Sequence, residues 1–264
     1  MPSINRDGVK IYYEVHGQGT PLLLTHGYSS TSAMWQGQIE LLAAKYKLIT
    51  WDMRGHGNSD YPEDPLAYSE PHTVADMAAI LDKVAGPGCR AIVGGLSLGG
   101  YMSMAFYNAH TDRVISLLII DTGPGFKKDS AREAWNTYAR KQGDEFDKNG
   151  LGPLQNLSPE RSQVSHRDAS GIAHAARGML TQRDSAVINS LGNIKAPSLV
   201  LVGSEDKGFL AATDYMASKI PRAKKVIIPK AGHAANIDNP EAFNKELMAF
   251  LSSLGDDRRA KASL

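Results

Sequence analysis

The stretch "AIVGGLSLGGYMSMAFYN", Ala91–Asn108, sets a short apolar run ahead of a helix-like one and isolates Ser97 between two glycine pairs. An apolar run of this length, closed by glycines and followed by a helical pattern, is a strand–turn–helix unit. Two readings of the turn compete: the glycines merely ease a tight connection, or the connection exists to present the serine hydroxyl. Gly95 and Gly99 stand two residues before and two after the serine, where larger side chains would collide in a strained elbow. The N-terminus of the following helix also turns unpaired N–H groups toward any negative charge that develops nearby. No lysine follows the last glycine, as a Walker-type phosphate loop requires.

Outward from this unit the same alternation continues. Short apolar runs at 21–26, 46–52, 114–121, 197–203 and 224–229 read as strands covered on both faces. Helical patterns at 33–44, 73–85, 98–108, 210–220 and 240–254 fall between or after them. The opening alternation of Val9, Ile11, Tyr13 and Val15 behind an Asp7-Gly8 turn predicts an antiparallel hairpin at one end. The fold class expected is therefore α/β: a mostly parallel central sheet with helices on both faces. Between 123 and 193 the rhythm breaks into polar, helical segments without a good strand, an insertion above the sheet. This divides the chain into a core, 1–122 with 194–255, an inserted helical unit, 123–193, and an unpatterned tail, 256–264, expected to fray.

With 264 residues, 42% of them hydrophobic, and a formal net charge of +1, the chain has material for a substantial core. It lacks the basic or acidic blocks of a nucleic-acid binder, and a small molecule is the expected partner. The single cysteine, Cys89, cannot form an internal disulfide, which fits a cytoplasmic protein. The N-terminal segment has no signal-peptide order, and no apolar run is long enough to insert in a membrane. Neither a metal cluster nor a nucleotide fingerprint is visible, so no cofactor is expected.

A serine hydroxyl attacks carbonyl carbon efficiently only when a base takes its proton and a third group orients that base. "LVGSEDKGF" puts Asp206 just after one strand, and "IIPKAGHAANIDNP" puts His233 just after the next. The order serine, aspartate, histidine is the one expected of this architecture. Glu205, adjacent, and Asp121, at the end of an earlier strand, remain alternatives for the acid. Two backbone amides are candidates for an oxyanion hole, that of Leu98 in the elbow and that of Tyr28 after "LLLTHG". The side chains of Tyr28, Trp135, Tyr138 and Met179 are candidates for the substrate pocket, and Phe126, Phe146 and Leu180 of the insertion for its wall.

Along most of its length the chain resembles the α/β-hydrolase superfamily, in "HGYSS" (26–30), "DMRGHGNSD" (52–60), "GLSLGG" (95–100), "GSED" (203–206) and "GHAANIDNP" (232–240). The resemblance implies a triad of Ser97, Asp206 and His233, an oxyanion hole from Tyr28 and Leu98, and a cap domain in the insertion. It also implies that Asp52, Arg54 and His56 form an internal polar network and that His26 braces its loop. Serine at the elbow argues against the branches with aspartate or cysteine there. The "HGYSS" loop lacks the glycine-proline pattern of proline iminopeptidases and the triple glycine of some lipases. What remains is similar to small carboxylesterases and enol-lactonases, although the acid loop lacks the proline common after the aspartate. The expectation is hydrolysis of a small ester or lactone through an acyl-enzyme. The alternatives are a slow hydrolase-like ligand sensor and a carbon–carbon bond hydrolase or lyase that uses the same triad.

Overall fold

The computed structural model describes residues 1–162 and 164–262, as backbone alone at 159 and from 255 onward. Its strands are β1 (Ser3–Arg6), β2 (Val9–His16), β3 (Thr20–Thr25), β4 (Tyr46–Trp51), β5 (Ala91–Leu96), β6 (Val114–Ile120), β7 (Ser198–Gly203) and β8 (Ala223–Ile228). They form one sheet in the order β1-β2-β4-β3-β5-β6-β7-β8. The β1/β2 and β2/β4 pairs are antiparallel and the others parallel, so the hairpin closes one end of an otherwise parallel sheet.

The helices are α1 (Gln36–Ala43), α2 (Glu70–Ala85), α3 (Leu98–Ala109), α4 (Asp129–Asn149), α5 (Pro159–Ser162), α6 (Ala169–Ala175), α7 (Ala186–Ser190), α8 (Leu210–Lys219), α9 (Ala235–Asp238) and α10 (Pro240–Ala262). Side chains alternate across a strand, and the core divides accordingly. Leu117 and Ile119 of β6 pack in one cluster with Met77 and Ile80 of α2 and Met102 and Phe106 of α3. Leu118 and Ile120 pack in the other, with Leu42 of α1 and Phe243 and Leu247 of α10. Each such side chain contributes roughly 1.5–3 kcal/mol on burial.

Two of the boundaries that differ from the apolar pattern have a local cause in the sequence. α2 begins at Glu70 because the Ser69 hydroxyl accepts the His72 N–H at 3.2 Å, capping a polar first turn that carries no hydrophobic signal. α10 continues to Ala262, past the point where a frayed tail was expected, through "DDRRAKA", which is rich in good helix formers. Residues 263 and 264 lie outside the described residues.

The segment between β6 and β7 carries α4 to α7 and a π-helical turn at Ala176–Leu180. Its Phe146, Ile172 and Met179 join the core cluster of α2 and α3. Three polar contacts tie it to the loop after β3. The Tyr28 hydroxyl donates to the Ile172 carbonyl at 3.1 Å, Ser30 Oγ to the Glu160 carbonyl at 2.6 Å, and His166 Nε2 to the Ser29 carbonyl at 3.1 Å.

Beneath this seam lies a buried polar network built on "DMRGHG". Asp52 accepts the amides of Ser32 at 2.7 Å and Asn58 at 2.9 Å. Arg54 forks onto Asp76 at 2.7 and 2.9 Å, both side chains being buried. The Met53 N–H donates to His26 Nε2, so that ring carries its proton on Nδ1, which donates to the Gly27 carbonyl at 2.7 Å. By the same logic His56 accepts the Ser29 amide on Nε2 and donates from Nδ1 to the Arg54 carbonyl. His166 accepts the Gly57 amide on Nδ1. The three rings lie in series, 4.9 and 5.7 Å between centroids. Burial draws His26 down to about 4, and His56 and His166 also lie below the ordinary imidazole value for the same reason.

Two outcomes are expected. Asp76→Ala leaves the Arg54 guanidinium buried and unpaired and costs about 3–5 kcal/mol in urea unfolding. The unfolded chain binds protons that the neutral buried rings refuse, so their contribution is complete above about pH 6.5 and is lost as pH falls toward the native values. Asp76 and Asp121, whose carboxyls are held up by burial, titrate in the opposite sense, so the histidine effect is read as a difference. His56→Asn should make the fall in stability below pH 6.5 shallower by up to about 1.4 kcal/mol per pH unit; an unchanged slope in unfolding titrations would refute the neutral-ring assignment.

Candidate active site

Ser97 sits between β5 and α3 with φ 55° and ψ −117°, a strained conformation for a non-glycine residue. The Ser97 N–H donates to the Ile120 carbonyl at 2.9 Å, which anchors the elbow to β6. Space forces the flanking glycines: a Cβ on Gly95 would stand 2.5 Å from the Thr25 carbonyl oxygen, and one on Gly99 2.3 Å from the same atom. Although Ser97 occupies the N-cap position of α3, its side chain makes no capping hydrogen bond to the helix.

His233 and Asp206 leave the ends of β8 and β7. The two loops cross closely because Gly203 has no side chain; a Cβ there would lie 2.2 Å from the Gly232 carbonyl oxygen. His233 Nδ1 and Asp206 Oδ2 are 2.7 Å apart, with side-chain exposures of 27% and 10%, so the pair is sheltered but the imidazole is reachable. Phe209 stacks on the ring at 5.2 Å between centroids. A carboxylate on Nδ1 fixes the tautomer and leaves Nε2 as the acceptor.

The rival acids are placed elsewhere. Glu205 is exposed, and its N–H donates to the Ala231 carbonyl. Asp121 is wholly buried and accepts the amides of Gly203 at 2.7 Å and Ala235 at 3.3 Å, strapping the ends of the two loops together. Burial holds its carboxyl well above the usual carboxylate range, and the nearby Asp206 adds to that effect.

Ser97, His233 and Asp206 line one cavity, of about 400 Å³, together with Tyr28, Phe209, Glu160 and Arg161. A second cavity of about 330 Å³ also opens on Ser97 and is walled by Leu98, Pro124, Phe126, Gln182 and Ala212. Trp135, Leu180 and Phe209 border both, so Ser97 stands where two arms meet. The amides of Tyr28 and Leu98 find no acceptor among the described residues. Gly27 brings the Tyr28 loop against the elbow: a Cβ on Gly27 would lie 3.4 Å from Ser97 Cβ.

Of the predicted pocket side chains, Trp135 and Tyr138 line the cavity, and the Trp135 indole N–H is fixed on the Leu180 carbonyl at 2.8 Å. Tyr28 borders it too, but its hydroxyl is spent on Ile172. Met179 corrects the sequence reading: it is buried in the core and lines neither arm, because the π-helical turn presents its neighbour Leu180 instead. Leu180, a candidate for the pocket wall, borders both arms, whereas Phe209 and Gln182 escaped the sequence reading. Each lies outside any regular apolar period, and only the glycine-rich context of the Asp206 loop hinted at Phe209.

Among known proteins the chain is 28% identical to a "Putative 2-succinyl-6-hydroxy-2,4-cyclohexadiene-1-carboxylate synthase" of Bacillus subtilis, covering 94% of this chain and 97% of that one. It is 25% identical to 3-oxoadipate enol-lactonase 1 of Acinetobacter baylyi, covering 95% and 96%. A thermophilic esterase from Thermogutta terrifontis superimposes with a TM-score of 0.78 at 27% identity, covering 96% and 97%. No helix among the described residues is long and apolar enough to cross a membrane. A family model described as the alpha/beta hydrolase family matches residues 22–246, most of the chain, and the chain belongs to that family.

Proposed function

We propose that the protein is a serine hydrolase of small carboxylic esters or lactones, working through an acyl-enzyme. One observation carries the reading. An imidazole with Nδ1 held by a sheltered carboxylate shares a cavity with a serine hydroxyl that caps no helix, beside two amides that lack acceptors among the described residues. His233 Nε2 takes the hydroxyl proton as Ser97 Oγ attacks the substrate carbonyl carbon. Asp206 holds the ring in the required tautomer and stabilises the imidazolium that forms. Negative charge on the carbonyl oxygen is met by the amides of Tyr28 and Leu98, each contributing about 2.7–4 kcal/mol to the transition state. When the tetrahedral adduct collapses, the imidazolium returns its proton to the departing oxygen. Water then repeats the sequence on the acyl-enzyme and frees the acid.

In this reading residues 123–193 act as a cap that closes the site over the substrate and excludes bulk water, and the lone Cys89 fits a reducing cytoplasm. The printed names of relatives include an enol-lactonase and an esterase, which supports the ester and lactone class.

Mass spectrometry after exposure to a fluorophosphonate, with p-nitrophenyl butanoate turnover measured in parallel, tests the proposal. Label is expected on Ser97 alone, and Ser97→Ala should lose both label and at least about 10⁴-fold in kcat. Asp206→Asn should retain the label site and lose up to about 10⁴-fold in kcat through the wrong tautomer. Labelling without turnover would instead indicate a ligand sensor, and absence of any acyl-enzyme would indicate carbon–carbon bond chemistry.

A further inference from the structure

A single hydrogen bond fixes where one edge of an imidazole sits but leaves the plane of the ring free to pivot about the bond. The 2.7 Å contact between His233 Nδ1 and Asp206 Oδ2 is a constraint of that kind. The plane of the His233 ring is set from another side, by Phe209, which lies on it with centroids 5.2 Å apart and an interplanar angle of 25°.

Phe209 is delivered by the same loop as the acid. Its N–H donates to the Asp206 carbonyl at 3.0 Å, closing a turn with the carboxylate at one end and the aromatic ring at the other. Its own carbonyl accepts the Thr213 N–H at 2.8 Å, which roots that turn in α8. One short piece of chain thus holds His233 by an edge and by a face. Phe209 is only partly buried, belongs to neither apolar cluster and borders both arms of the cavity, so core packing does not account for an aromatic ring there.

The face of an aromatic ring carries partial negative charge and attracts a cation stacked on it. His233 becomes a cation only while a tetrahedral adduct forms or collapses, so the attraction is made in the transition state and not with the resting, neutral imidazole. Leucine would offer the ring a similar apolar neighbour and similar shelter from water, without the π-face.

We infer that Phe209 is a positioning residue for the proposed reaction: stacked on His233, it sets the plane of the imidazole and stabilises the imidazolium that forms as Ser97 gives up its proton. The inference rests on the reading of Ser97 as nucleophile and His233 as its base.

The test measures kcat and KM for p-nitrophenyl acetate and p-nitrophenyl butanoate in wild type, Phe209→Leu and Phe209→Tyr, each shown to be folded by its urea midpoint. Phe209→Leu should lose about 2- to 30-fold in kcat and the same factor in kcat/KM, equally on the two esters, because the lost interaction belongs to proton transfer and not to the acyl chain. Phe209→Tyr, which keeps the π-face, should stay within about 2-fold of wild type. The rate at which a fluorophosphonate labels Ser97 should fall with kcat in the leucine variant. A leucine variant as fast as wild type overturns the inference, as does a folded tyrosine variant as slow as the leucine one. A loss that appears in KM and grows from acetate to butanoate also overturns it and makes Phe209 a plain wall of the cavity. Ser97→Ala separates the two levels: if it hydrolyses the acetate as fast as wild type, the hydrolase reading itself fails, whereas an inactive Ser97→Ala beside a fully active Phe209→Leu refutes only the role of Phe209.

Discussion

The end of β3 and the turn between β5 and α3 approach so closely that the Thr25 carbonyl oxygen occupies the space of two absent side chains. Gly95 and Gly99 are what make that approach possible, and the placement of the site follows from it. With the elbow pressed on β3, the loop that leaves β3 passes against Ser97 at Gly27, the residue before Tyr28, whose amide has no acceptor among the described residues. The same pressure holds Ser97 in a left-handed conformation that α3 alone would not impose. The strain is offset by burial along both faces of the sheet, where the two apolar clusters leave the turn no room to relax.

Much of this was legible in the residues, for a physical reason. Strands covered on both faces need continuous apolar runs, and an elbow with no space needs glycine on either side, so "AIVGGLSLGG" states both requirements at once. His233 and Asp206 could be selected because each follows a strand of a parallel sheet, whose carboxyl ends converge. Their mutual bond, which separates Asp206 from Glu205 and Asp121, is a matter of side-chain direction that spacing does not carry. The pocket wall was the least legible. Met179 and Leu180 are adjacent and equally apolar, and a π-helical turn decides which of them faces the cavity.

The polar network under the seam plays a part that no catalytic motif would reveal. Three histidines, each donating one proton to a carbonyl and receiving one amide, stand in place of ordinary backbone pairing where loops cross. Side chains with one donor and one acceptor suit such a crossing, since irregular loops leave both kinds of backbone group unpaired. The cost is that the fold depends on those rings remaining neutral.

The contacts of Tyr28, Ser29 and Ser30 with Ile172, His166 and Glu160 bolt the helical roof to the strip of chain that, on the proposed function, supplies one oxyanion donor. Roof and donor are thereby parts of a single mechanical assembly. On the proposed function, any tilt that widens the chamber for a bulkier guest also drags that amide away from where charge accumulates, so breadth of diet and speed of turnover are traded against each other.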